Sequence, residues 1–291
     1  MRTDIDALKV IDLNRKFHDE VEAEQYDTRM GVDYSSEGRE RLVGELERVL
    51  GGPIEPGTLA LDLGSGTGKL AIILSLLGRH ERVVAVDVSE RMLAQAERSA
   101  ARLGCRVETR VSDMAVLPFE DRSVDLVVGS AFLHHLPDPV ALMKEVRRVL
   151  RPGGRFVFVG EPSRTGHVMA ETLKAPWVAL VRTLRVLRGR PARGWEHDHI
   201  DVHTFTTSDM RRMSEGFSDV RFVAEGFADH AVEQGFLVLV RRVVGGNRVA
   251  DAVLDGIRNA LLFLDHRFFD RVLPPGMLAC VKLSGARPLD G

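Results

Sequence analysis

The 291-residue chain has few cysteines and almost no net charge. Its two cysteines, Cys105 and Cys280, lie far apart and outside any Cys-x-x-Cys motif. This excludes a disulfide framework and a cysteine zinc site, and it favours a reducing compartment. The formal net charge is −2, which provides no electrostatic basis for binding nucleic acid. We therefore expect no nucleic-acid partner.

Long apolar runs, internal repeats and low-complexity segments are also missing. No uninterrupted apolar run approaches the length that spans a bilayer. Residues 1–12 are charged and lack the apolar segment of a signal peptide. These features predict a cytoplasmic protein. Hydrophobic residues make up 44% of the chain, enough for one large α/β domain with insertions or for two small domains.

The most informative stretch is residues 59–70, where an apolar run precedes three glycines at alternate positions. The run predicts a buried parallel strand, and the residues after the glycines predict a helix. Gly64, Gly66 and Gly68 allow a sharp turn with no Cβ between backbone and ligand. The helix N-terminus adds N–H donors and the positive end of its dipole. The stretch therefore predicts a nucleotide-like binding turn at the carboxyl end of a strand.

The spacing of this loop excludes two common ligands. Lys69 replaces the third glycine of a dinucleotide motif, and Leu70 replaces the magnesium-binding hydroxyl of a P-loop. Asp62, beside the loop, would repel a pyrophosphate but suits a ligand with an ammonium group. S-adenosylmethionine has an ammonium, a sulfonium, a ribose and an adenine, and no phosphate. It is therefore one ligand with the groups that this loop would suit.

Three segments resemble motifs of the class I S-adenosylmethionine-dependent methyltransferases. The first is Asp-Leu-Gly-Ser-Gly-Thr-Gly at 62–68, and the second is Val-Asp-Val-Ser-Glu-Arg-Met-Leu at 86–93. The third is Leu-Arg-Pro-Gly-Gly-Arg at 150–155. The resemblance covers about residues 55–225. It implies the fold and the cofactor, but not the acceptor.

A set of cofactor-binding residues follows from these motifs. Asp87 ends a second apolar run at the spacing at which an acid binds a ribose in a βαβ unit, and Ser89 is the better N-cap for the next helix. The resemblance implies that Tyr26 of a pre-core helix closes over the cofactor, although a half-buried packing role suits it equally. The predicted site comprises Tyr26, Asp62, Gly64, Ser65, Gly66, Gly68, Asp87, Val88, Met92, Asp113, Met114 and Ser130.

Five of these residues have specific contacts in the family. By resemblance, Val88 and Met92 line the adenine. Asp113 accepts the adenine amino hydrogen, and the N–H of Met114 meets the ring. Ser130 lies under the methionine part of the cofactor. An ordinary loop position is the alternative for Asp113.

Strand and helix patterns alternate five times, which predicts a doubly wound, Rossmann-like parallel sheet with right-handed crossovers. A sixth strand is predicted at 216–227. We assign the seventh, antiparallel strand to 277–283, with 235–244 as the alternative. The fold class is thus α/β with a seven-stranded sheet, one strand antiparallel.

The predicted domains are an N-terminal helical cap, 1–50, and a methyltransferase domain, 51–291. The second has helical insertions at about 163–205 and 230–272. The first insertion is strongly apolar and becomes rich in arginine towards its end. It suits a lid over an apolar acceptor, which we favour, an ordinary core helix, or contact of residues 167–193 with an anionic membrane surface.

Methyl transfer requires a base only where the accepting atom is protonated. Because an imidazole titrates near neutrality, His199 and His203 are the first candidates, and Glu161, directly after the fifth strand, is the second. His134 and His135 are further candidates, but their position at a helix start favours a role without catalysis.

Residues 197–203 hold three histidines, His-x-His-x-x-x-His, which could bind a metal. No further ligand cluster is obvious and methyl transfer needs no metal, so we expect none.

The sequence predicts methyl transfer to a small, apolar or lipid-like acceptor at oxygen, carbon or nitrogen. The alternative is a non-catalytic S-adenosylmethionine-binding partner or scaffold, which the motifs do not exclude. Turnover distinguishes the two functions. The sequence does not determine the oligomeric state and is compatible with a homodimer.

Overall fold

A computed structural model gives the architecture. It describes residues 7–17, 32–168, 203–226 and 280–289, together with single positions within 172–183 and 253–269. Predictions for Tyr26, His199 and 235–244 lie outside the described residues.

Strands and helices alternate along the described chain. The strands are β1 Gly57–Leu63, β2 His80–Asp87, β3 Glu108–Val111, β4 Val124–Ser130, β5 Leu150–Pro162, β6 Ser218–Glu225 and β7 Cys280–Ala286. The helices are α1 Ala7–Phe17, α2 Ser36–Leu50, α3 Lys69–Leu77, α4 Glu90–Arg102, α5 Pro139–Val149 and α6 Thr207–Met213, with a 3₁₀ helix at Leu133–His135 and a π-helical turn at Asp265–Phe269.

The strands form one seven-stranded sheet in the order β3-β2-β1-β4-β5-β7-β6. The pairs β3–β2, β2–β1, β1–β4 and β4–β5 are parallel. β7 runs antiparallel to both of its neighbours, β5 and β6. The predicted α/β sheet with one antiparallel strand is confirmed. Because strand order reverses between β1 and β4, a ligand crevice is expected at the carboxyl ends of these two strands.

Both faces of the sheet are covered, which explains why β1 is apolar without alternation. Leu61 and Leu63 belong to the apolar cluster on one face, and Ala60 belongs to the cluster on the other face. The second cluster includes Leu46 and Val49 of α2. α2 therefore packs against the sheet and shares its core.

β5 begins at Leu150, the first residue of the third motif. Leu150 pairs with Val124, and the next pair joins Arg155 to Leu126, so the intervening residues form an irregularity within the strand. Gly153 lies there with a φ of 76°. The two glycines of the third motif, Gly153 and Gly154, thus lie inside β5. β7 ends at Ala286, three residues beyond the end of the predicted 277–283.

Candidate cofactor and acceptor site

A cavity lies at the carboxyl ends of β1, β2 and β4, where the strand order reverses. Its walls come from the glycine loop, the ends of these strands, α1 and the residues around the 3₁₀ helix. Eight of the twelve predicted cofactor residues line it: Gly64, Gly66, Asp87, Val88, Met92, Asp113, Met114 and Ser130.

The three loop glycines have φ values of 61°, 52° and 81°, a region that other residues rarely adopt. A Cβ on Gly64 would lie 2.4 Å from Phe132 Cβ, and one on Gly68 would lie 2.6 Å from Ala96 Cβ. A Cβ on Gly66 would meet no described heavy atom within 4 Å. Gly64 and Gly68 thus permit close packing, whereas Gly66 leaves open space on the cavity side for a ligand.

Asp87 connects the loop to the end of β2. Its Oδ2 accepts a hydrogen bond from the Gly66 N–H at 2.8 Å, and its Oδ1 accepts one from the Ser89 N–H at 2.9 Å. Ser89 caps α4 by accepting from the Met92 N–H. Since each carboxylate oxygen can accept a second bond, Asp87 both shapes the loop and offers acceptors to a ligand.

The loop after β3 supplies Asp113 and Met114. Asp113 is exposed, and its Oδ1 accepts from the Ala115 N–H at 2.9 Å. Met114 has a φ of 63°, and its N–H donates to Ser112 Oγ at 3.0 Å. The N–H predicted to meet the adenine is therefore paired within its own loop, although both residues line the cavity.

Asp62 lies beneath the loop rather than on the cavity. It shares a strand face with Ala60, and α3 covers this face. It is 1% exposed, and its Oδ2 accepts from the Ala71 N–H of α3 at 2.9 Å. Burial raises the pKa of Asp62 to about 8, opposed by the Ala71 hydrogen bond and reinforced by the charge of Asp87. This placement differs from the predicted contact with a ligand ammonium.

Ser65 and Gly68 are likewise absent from the cavity lining among the residues that the structure describes. The Ser65 N–H donates to Val86 O at 3.1 Å, and the Ser65 carbonyl accepts from the Gly68 N–H at 2.8 Å. Both residues therefore fix the loop through backbone bonds.

Glu161 is 1% exposed and caps the 3₁₀ helix. Its Oε1 accepts from the N–H groups of Phe132 and Leu133 at 2.9 and 3.0 Å. Its Oε2 accepts from the His134 N–H at 3.2 Å and lies 2.9 Å from His134 Nδ1. Four contacts occupy the carboxylate, a structural role that differs from the predicted role as a base.

His203 lies behind the cavity wall. It is 3% exposed, its N–H donates to His134 O at 3.2 Å, and its Nε2 lies 3.3 Å from Pro137 O. Burial lowers the pKa of His203 below its ordinary value. Its position does not bring it to the cavity, so it is poorly placed for the predicted role as a base.

His135 is the imidazole that lines the cavity in the described part of the chain. It is half-buried, and its ring centroid lies 3.9 Å from that of His134. Its carbonyl accepts a hydrogen bond from Asn14 Nδ2 at 3.0 Å, which fixes α1 against the cavity. Asn14 and Ile11 also line it. Sequence reasoning did not identify these two residues, since no local motif indicates a contact between positions 121 residues apart.

Among the described residues, no three or more His, Cys, Asp or Glu side chains are grouped so that they could hold a metal ion. The same part of the chain contains no helix that is both long and apolar enough to cross a membrane.

The reversed strand order, the glycine loop and the acid at the end of β2 define a Rossmann-like, cofactor-binding α/β fold. Residues 61–158 match the family model described as a methyltransferase domain. This match confirms, for this part of the chain, the predicted resemblance to the S-adenosylmethionine-dependent methyltransferases.

Two curated relatives show how far the similarity extends. The chain is 43% identical over 108 residues to an uncharacterised 37.1 kDa protein of a Streptomyces fradiae transposon, covering 37% of this chain and 31% of the relative. It is 28% identical over 170 residues to a demethylmenaquinone methyltransferase of Staphylococcus haemolyticus, covering 58% of this chain and 70% of the relative. The chain therefore spans less than a third of the length of the first relative.

A solved structure is similar in fold. It is Haemonchus contortus phosphoethanolamine N-methyltransferase 2 in complex with S-adenosyl-L-methionine, with a TM-score of 0.61 at 19% identity. The similarity covers 94% of this chain and 60% of that one.

Proposed function

We propose that the protein transfers the methyl group of S-adenosylmethionine to a small, apolar acceptor. The main support is that one cavity combines the glycine loop and Asp87 with the apolar side chains of Ile11, Phe132 and Leu136. The similarity to an enzyme named for demethylmenaquinone supports an apolar acceptor.

The residues of the cavity fit the cofactor. Open space beside Gly66 lets a ligand approach the backbone, and Asp87 offers carboxylate oxygens for ribose hydroxyls. When bound, S-adenosylmethionine supplies a methyl group on a sulfonium sulfur. The protein contributes by orienting the two reactants and by excluding water. Apolar walls serve the second purpose, because they offer water no hydrogen bonds.

The first insertion is proposed as the lid on the acceptor side, because both of its ends are fixed beside the 3₁₀ helix. Ser163 and Phe205 form a parallel bridge. The Phe205 N–H donates to Pro162 O, and the His203 N–H donates to His134 O. The segment between them thus starts and ends next to the cavity wall. A polar substitution at Leu180 should weaken acceptor binding and leave cofactor affinity unchanged.

For an acceptor that loses a proton, His135 is the proposed base. It lines the cavity, whereas His203 lies behind the wall and Glu161 is occupied by backbone N–H groups. An imidazole with a pKa near the working pH is an efficient base. A neutral amine would not require it, because its lone pair attacks the methyl group and its proton can leave to water afterwards.

Two measurements test the proposed function. Calorimetry with S-adenosylhomocysteine reports cofactor binding to the purified chain. Mass spectrometry then follows transfer from S-adenosylmethionine with a deuterated methyl group to a panel of quinols, aromatic alcohols and amines. We expect S-adenosylhomocysteine to bind. We also expect a product about 17 mass units heavier than the unmodified acceptor, because a CD₃ group replaces a hydrogen atom. Cofactor binding without transfer to any member of the panel would favour the non-catalytic alternative.

A further inference from the structure

Within the described part of the chain, one amide atom of Asn14 of α1 is paired and the other is not. The residue is 5% exposed and lines the cavity. Its Nδ2 donates to His135 O at 3.0 Å, which orients the amide. Its Oδ1 is buried and has no hydrogen-bond partner among the described residues. We propose that Asn14 Oδ1 accepts a hydrogen bond from the ammonium group of S-adenosylmethionine, an inference that rests on the proposed function.

The position of Asn14 in the cavity places it beside the methionine part of the cofactor rather than beside the ribose. Its partner His135 follows β4, whereas the ribose-binding candidate Asp87 ends β2, two strands away across β1. Neighbouring strands lie about 4.8 Å apart, so the two sides of the cavity are about 10 Å apart. With the ribose at Asp87, the methionine part extends towards Ser130 and Asn14.

The chemistry of that end then selects the ammonium. An amide oxygen only accepts hydrogen bonds, and a carboxylate has no hydrogen to donate. The ammonium is the donor of the methionine part, with three N–H groups. Asp62, the acid that the sequence suggested for this group, is bonded to the Ala71 N–H and does not line the cavity. Asn14 Oδ1 thus lies at this end of the cavity and can accept a hydrogen bond from the ligand.

Satisfying this oxygen has a clear energetic reason. A buried acceptor without a donor loses its hydration and gains nothing in return. Hydrogen bonds to charged groups are stronger than those between neutral groups. Ligands with the ammonium should therefore bind more tightly than ligands without it, and the difference should depend on Asn14.

Calorimetry with three ligands on the full chain tests this dependence. S-adenosylhomocysteine contains the ammonium, its deaminated analogue has hydrogen in that place, and 5′-methylthioadenosine lacks the amino-acid part. We expect Asn14→Ala to lower the affinity for S-adenosylhomocysteine about tenfold. The affinity for 5′-methylthioadenosine should fall by less than about twofold. Wild type should prefer S-adenosylhomocysteine to the deaminated analogue by about tenfold, and Asn14→Ala should abolish this preference.

Ile11→Ala is the matched control, because Ile11 is also on α1 and lines the cavity. It should change the affinities for S-adenosylhomocysteine and for its deaminated analogue by the same factor, because both contain the rest of the amino-acid part. An equal loss for all ligands in Asn14→Ala would overturn the proposal, since it would show that Asn14 only fixes α1 to His135. Equal wild-type affinity for S-adenosylhomocysteine and the deaminated analogue would overturn it without any variant. A wild-type chain that binds none of the ligands would refute the proposed function itself.

Discussion

Glu161 Oε2 lies 2.9 Å from His134 Nδ1, and the same carboxylate accepts hydrogen bonds from three consecutive backbone N–H groups, those of Phe132, Leu133 and His134. A buried carboxylate is costly unless its oxygens are paired. Here β5 supplies the charge and the 3₁₀ helix supplies the donors. This relationship fixes the backbone that brings His135 to the cavity.

Replacing Glu161 with Gln should therefore destabilise the fold. One side-chain oxygen becomes an NH₂ group that faces backbone donors, and the charge that strengthens the remaining bonds is lost. We expect a loss of about 2–3 kcal/mol in the free energy of unfolding, the upper range for hydrogen bonds to a charged group. Urea unfolding measures it, and Glu120→Gln at an exposed position is the control. Equal midpoints for the two variants would contradict this role.

The buried carboxyl group of Asp62 makes stability depend on pH. Its pKa rises from the ordinary value of 3.8 to about 8 in the folded protein. Between these values the folded state holds a proton that the unfolded state has lost. The contribution of Asp62 is thus fully present below about pH 4 and is lost as pH rises through about 8.

Comparison with Asp62→Asn isolates this contribution, since Asn does not titrate and its Oδ1 can still accept from the Ala71 N–H. The stability of wild type relative to the variant should fall by up to about 1.4 kcal/mol per pH unit between about pH 5 and 8. Urea unfolding across this window gives the slope. Parallel pH curves for the two proteins would show that the folded-state pKa is not raised.

Asp87 should contribute more to cofactor affinity than Asp62. Asp87→Ala removes a candidate ribose acceptor and the bond to the Gly66 N–H. We expect the affinity for S-adenosylhomocysteine to fall by about 1–3 kcal/mol. Asp62→Asn should leave it within a few tenths of a kcal/mol, because Asp62 does not line the cavity. Calorimetry ranks the two variants, and the opposite order would restore the predicted contact of Asp62 with the ligand.

The strands were predictable because their patterns are local. β1 contains the apolar run 59–61 and β2 the apolar run 83–86, and both strands are followed by residues that favour a turn or a helix start. The order of β7 before β6 in the sheet is not encoded in any local pattern, yet the antiparallel strand was predicted from its alternation. Its carboxyl end lies three residues beyond the predicted one, because alternation alone does not fix where pairing ends.

The orientation of the acids was harder to predict than their place in the chain. Asp62 points under α3 because it shares a strand face with Ala60. Glu161 is turned towards the 3₁₀ helix by an irregularity in β5, where Phe158 pairs with Leu283 and Glu161 with Val281. One extra residue in β5 and a φ of 75° at Gly160 change the face on which the next side chain lies. A sequence motif predicts neither the strand face of Asp62 nor the irregularity that turns Glu161.

The last prediction concerns two imidazoles, that of His135 at the cavity wall and that of His203 behind it. His135 lines the cavity, and His203 contacts the backbone of His134 and Pro137 instead. With an acceptor that loses a proton, His135→Gln should lower kcat by about 10²–10⁴-fold, the usual contribution of a base. His203→Gln should change kcat by only a few-fold. S-adenosylhomocysteine affinity should stay the same in both variants.

Steady-state kinetics over a range of pH values compares them, because loss of a base also removes its limb from the pH profile of kcat. His80→Gln is the matched control. His80 is buried at the amino end of β2, whereas the cavity lies at the carboxyl ends of the strands, so this variant should leave the pH profile unchanged. If His203→Gln slows turnover as much as His135→Gln, the base acts from behind the wall and the cavity must rearrange. If neither variant slows turnover, neither imidazole is the base: proximity accounts for catalysis, and the proton leaves to water.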